Sequence, residues 1–99
     1  MINLDEYMAQ TEEVIILGET IHIKQPSIFM YEQINDIEKG MNSKNVMEKR
    51  VLAAKVVLDN NTEGKIFNVD DLKKLSRAAI EMLFTKIAEA RLRAENDPN

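Results

Sequence analysis

Thr20-Ile21-His22-Ile23-Lys24-Gln25-Pro26-Ser27-Ile28 is the stretch where the chain changes its hydrophobic period. Up to Lys24, polar and apolar residues alternate with period two, which puts Ile21 and Ile23 on one face of a strand and Thr20, His22 and Lys24 on the other. Upstream, Glu13-Val14-Ile15-Ile16-Leu17 is rich in β-branched residues, and Gly18-Glu19 interrupts the two runs, so residues 13–24 read as a β-hairpin. Gln25 before a proline is pushed toward extended geometry, and Pro26 or Ser27 can open a helix. Beyond them Ile28, Tyr31, Ile34, Ile37 and Met41 recur at helical spacing, with Gly40 the expected stop of the helix.

The rest of the chain keeps that period. Ser43 is a candidate cap for a second helix, in which Val46, Met47, Val51, Ala54 and Leu58 line one side and Leu52, Ala53, Val56 and Val57 occupy much of the remainder. Such a helix needs cover on most of its circumference. Asp59-Asn60-Asn61-Thr62-Glu63-Gly64 is a cluster of turn formers, and Asn68 with Asp71 three residues on resembles a capping box, which starts a last helix at Val69 or Asp70. The expected fold is therefore α+β and mainly α: an N-terminal β-hairpin followed by three helices near residues 27–39, 44–59 and 69–95. With 99 residues there is room for a single domain, divided into an N-terminal segment 1–12, the hairpin 13–24, a helical part 26–95 and a frayed tail 96–99.

Composition narrows the chemistry. Thirteen Lys and Arg face seventeen Asp and Glu with the signs interspersed, and only five aromatics occur, so neither a phosphate-binding footprint nor a base-stacking platform is offered and nucleic acid is not an expected partner. The absence of cysteine removes disulfides, thiolate nucleophiles and thiolate-bound zinc together. The acidic start and the lack of a long apolar run predict neither export nor a membrane span.

No catalytic constellation can be read. His22 is the single histidine, without a second His or a Cys to share a metal and without a Ser or Cys placed for a triad. Neighbouring carboxylates in Glu12-Glu13 and Asp70-Asp71 point apart on a strand or helix, and the second pair suits a helix N-terminus. The 59–64 cluster lacks the alternating ligands and twelfth-position Glu of a calcium loop. The expectation is a non-enzymatic chain with no catalytic residues, no metal and no cofactor. On the last helix Leu72, Leu75, Ala79, Met82, Leu83 and Ile87 form one stripe, and Ile80, Phe84 and Ala88 form a second beside it. Surplus apolar surface points to self-association or partner binding through Ile80, Phe84, Ile87, Ala88, Val56 and Val57.

The order Leu17-Gly18-Glu19-Thr20-Ile21-His22-Ile23-Lys24-Gln25-Pro26-Ser27, with residues 68–93 as a second, weaker match to a long C-terminal helix, resembles the short tail assembly chaperones of long-tailed bacteriophages and prophages. That resemblance implies a protein of the bacterial host's cytoplasm that self-associates into a homo-oligomer and coats a long helical tape measure protein during tail assembly, with no chemical step. A small cytoplasmic adaptor or inhibitor binding one globular partner is the alternative.

Overall fold

A computed structural model describes the backbone of residues 1–96 and the side chains of residues 1–89. Its elements are α1 (Leu4–Met8), β1 (Thr11–Ile16), β2 (Glu19–Lys24), α2 (Ile28–Glu38), α3 (Val46–Asp59), α4 (Val69–Leu72) and α5 (Arg77–Asn96). The class is α+β, mainly α, with the hairpin ahead of the main helices as the sequence predicts.

β1 and β2 pair antiparallel, from Ile16 opposite Glu19 to Thr11 opposite Lys24. The two residues of the turn are Leu17 and Gly18, both at positive φ (50° and 82°), the geometry of a type I′ turn whose twist matches that of the strands. Glu19 thus begins β2 instead of lying in the turn. The strand also starts at Thr11, not residue 13, and the segment before it contains the short helix α1, capped by Asn3 Oδ1 accepting from the Asp5 N–H. Five residues with one apolar pair left no helical period long enough to read.

Ser27 caps α2 by accepting from the Met30 N–H at 3.2 Å. Ser43 does not cap α3. That turn is instead tied by two asparagines: Asn45 Oδ1 accepts from the Asn42 N–H at 2.7 Å, and Asn42 Oδ1 accepts from the N–H groups of Lys44 and Asn45. α3 consequently begins at Val46, two residues later than expected. Asn68 caps α4 through the Asp71 N–H at 2.7 Å, but the last helix is not continuous. Ser76 Oγ accepts from the Ala79 N–H at 3.1 Å, offering the backbone a second helix start, and α5 begins at Arg77. α5 runs to Asn96, the first residue of the expected tail; 97–99 lie outside the described residues.

α3 is the centre of the fold and packs against α2, α4, α5 and β2. Ala53 and Ala54 have no exposed surface, so neighbouring backbones can approach closely there, and Val51, Val57 and Leu58 complete the buried surface of the helix. Ile16, Ile21 and Ile23 on the inner face of the hairpin join the same core with Ile34, Phe67, Leu72, Ile80, Leu83 and Ile87.

The loop after α3 is built around Asn61, a buried polar residue at 5% exposure. Its Nδ2 donates to the Leu58 and Lys65 carbonyls, both at 2.8 Å, and its Oδ1 accepts from the Lys65 N–H at 2.9 Å. Replacing Asn61 with Leu strands these backbone groups, and we expect a loss of about 2–4 kcal/mol in urea unfolding. Leu17→Asn should do the reverse, adding about 1 kcal/mol by relieving a left-handed branched residue in the turn.

Candidate interaction surface

The most concentrated titratable cluster joins the hairpin to the loop after α3. His22 Nδ1–H donates to Glu63 Oε2 at 2.7 Å, the His22 backbone N–H donates to Glu63 Oε1 at 2.8 Å, and Glu13 Oε2 lies 3.5 Å from His22 Nε2. Thr62 Oγ1 adds a third donor to the Glu63 carboxylate at 3.0 Å. The His22 backbone and ring N–H groups hold the Glu63 carboxylate down to about 2, and the hydrogen bond to Glu63, with the charges of Glu63 and Glu13, raises the imidazole above its ordinary value. Every strong acceptor faces His22 itself, so the cluster acts as a clasp between loop and strand. Among the described residues no group of three or more His, Cys, Asp or Glu could hold a metal ion.

A second polar knot joins three helices. Arg50 on α3 donates through Nε and Nη2 to the two carboxylate oxygens of Glu81 on α5, at 3.2 and 2.8 Å, and through Nη1 to Glu38 on α2 at 3.0 Å. Its guanidinium also lies 4.3 Å from the centroid of the Phe84 ring. Phe84 is therefore half-buried beneath an intramolecular cation–π contact, not an uncovered member of a second stripe.

The six residues expected on an association surface are not brought together on one. Ile80 (2% exposed), Ile87 (8%) and Val57 (1%) belong to this chain's own core, in one cluster with Val51, Ala53 and Ala54 of α3 and Ile16, Ile21 and Ile23 of the hairpin. The break between Leu72 and Arg77 makes α5 an element separate from α4. Ala88 is exposed, while Val56 is half-buried and lines a groove between α2 and α3.

That groove has a volume of 540 Å³ and draws Met30, Gln33 and Ile37 from α2 and Leu52, Lys55, Val56 and Asp59 from α3, with Asn60 at one end. Lys55 Nζ donates to Asp59 at 2.6 Å and to the Phe67 carbonyl, and Asp59 Oδ1 accepts from the Phe67 N–H at 2.9 Å, so both charges serve the loop. What the groove presents to an incoming group is Met30, Ile37, Leu52 and Val56: apolar side chains, one of them an adaptable thioether. The periodicity placed the α3 members, Leu52 and Val56, on one part of that helix; Met30 and Ile37 join them only because α2 packs alongside α3.

No family model, curated protein or solved structure matches the chain. No described helix is long and apolar enough to cross a membrane.

Histidine NMR should place the pKa of His22 above that of a free imidazole, and Glu63→Gln should lower it. The linkage has two signs. The raised His22 contributes stability that is complete below about pH 6.5 and is lost as pH rises through its folded pKa; the depressed Glu63 contributes stability present above about pH 4.5 and lost as pH falls toward 2. Amide-exchange protection at Lys24 and Thr62, whose N–H groups join strand and loop, should peak between those limits.

Proposed function

We propose that this chain is a non-enzymatic tail assembly chaperone of a long-tailed phage or prophage, one that self-associates and coats a long helical tape measure protein in the host cytoplasm. The α2–α3 groove carries the reading: it is open, bounded by two helices, and offers Met30, Ile37, Leu52 and Val56 among polar residues, which suits the side chains on one face of an amphipathic helix. The order of turn, alternating strand and Pro26-Ser27 helix start supports it through the family resemblance. Coating follows from arithmetic of attachment, since many weak grooves engaging one elongated partner gain through effective concentration. An adaptor or inhibitor of one globular protein would use the same groove once per partner.

Coexpression with a tape measure protein is the test. The expected result is copurification in many copies per partner, with the partner insoluble when expressed alone. Met30→Glu and Val56→Lys, which place charge at the groove without touching the Asn61 loop, should reduce capture at least tenfold while circular dichroism stays unchanged. One copy per partner would favour the adaptor, and a partner equally soluble alone would overturn the chaperone reading.

A further inference from the structure

Both ring nitrogens of His22 face carboxylates, and the two carboxylates are held in different ways. Glu63 Oε2 accepts from Nδ1 at 2.7 Å, and the same carboxylate takes the His22 backbone N–H at 2.8 Å and the Thr62 hydroxyl at 3.0 Å. The loop that carries Glu63 is itself fixed to β2: Lys24 N–H donates to the Asn60 carbonyl at 2.8 Å, Thr62 N–H donates to the His22 carbonyl at 3.0 Å, and Asn60 Nδ2 donates to the Lys24 carbonyl at 3.2 Å. Glu13 is the cross-strand partner of His22 in register, yet its Oε2 stands 3.5 Å from Nε2 and its side chain is 65% exposed, against 35% for Glu63. Among the described residues the Glu13 carboxylate has no second partner. Lys24, two residues along the same face of β2, is the cation of that face and stands opposite Thr11.

A neutral imidazole carries one N–H, so only the imidazolium can donate to both carboxylates; in the neutral ring one nitrogen turns a lone pair toward an anion. A proton kept on Nε2 sets the Nδ1 lone pair against a carboxylate that the His22 backbone N–H and Thr62 hold in place. A proton kept on Nδ1 preserves the shorter bond, and the carboxylate then repelled is Glu13, which can turn into solvent. We infer that His22 is a proton-operated latch with unequal arms: its imidazolium ties Glu13 of β1 to the loop after α3, and its neutral ring keeps Glu63 through Nδ1–H and lets Glu13 go. The proton that leaves is the one on Nε2, and it passes to water. The hydrogen bond to Glu63 and the charges of Glu63 and Glu13 raise the imidazole, so release comes above the ordinary histidine titration. Release leaves a bare carboxylate on a strand edge. Because His22 points its N–H and C=O at the loop, Glu13 opposite it points its own away from β2, and among the described residues β1 has no other sheet partner. Charge on an edge strand opposes the addition of a further strand, and the latch changes that charge by one with pH.

The chain has a single histidine, so long-range proton–nitrogen NMR of the full chain reads this ring directly. Above the His22 titration the Nδ1–H tautomer should exceed Nε2–H by about threefold or more, the reverse of a free histidine side chain. Glu13→Gln changes an exposed side chain without touching the loop; it should leave that tautomer in place and lower the His22 midpoint by less than Glu63→Gln does. A purely structural clasp with equal arms would show no such preference. A wild-type ring in the Nε2–H tautomer above the titration, two tautomers in equal amounts, or a midpoint lowered as far by Glu13→Gln as by Glu63→Gln would overturn the inference. The latch involves no partner, so these outcomes are independent of the chaperone reading.

Discussion

Everything in this fold hangs on the burial of α3. Ala53 and Ala54 are completely covered, and Val51, Val57 and Leu58 are nearly so, in a helix too apolar to lie on a surface. Its neighbours are fixed by that need: α2 on one side, α5 and α4 on others, and β2 of the hairpin against the remainder. Each fully buried aliphatic side chain contributes roughly 1.5–3 kcal/mol, so the sum over this helix outweighs any single polar contact in the molecule. What α3 keeps half-covered, at Leu52, Lys55 and Val56, is the strip that becomes the wall of the groove.

Polar contacts then determine how the covering pieces are placed. Arg50 gathers carboxylates from α2 and α5 and lays its guanidinium on Phe84, so one side chain sets the relative position of three helices. Asp59, Lys55 and Asn61 fold the segment after α3 back on itself, which carries Asn60, Thr62 and Glu63 to the outer edge of β2. Surface ion pairs contribute little energy alone; here their geometry decides which backbone groups stay open to solvent.

The consequence is an asymmetry between the two edges of the hairpin. With the loop seated along β2, the hairpin retains one open edge, on the side away from the loop, and the groove lies between α2 and α3. Edge and groove differ in their physics: backbone groups on a strand edge are directional and set by register, while aliphatic and thioether side chains adapt to what lies against them.

The sequence by itself determined the class and the element order, because a change from period two to helical period at Pro26 is a local property of side-chain alternation. Ser27 and Asn68 were legible as caps for the same reason: each satisfies an N–H three residues on. Ser76 does likewise, but it sits inside a continuous apolar period, which hides the break between α4 and α5. Tertiary structure alone assigned Ile80, Ile87 and Val57 to the core, since periodicity shows which residues share a face and not how much cover that face receives. It also alone joined His22 to Glu63, forty-one positions apart, because that distance closes only when the loop after α3 folds onto the strand. Whether an apolar face becomes core or binding surface depends on what packs beside it, a relation between distant segments that no local pattern contains.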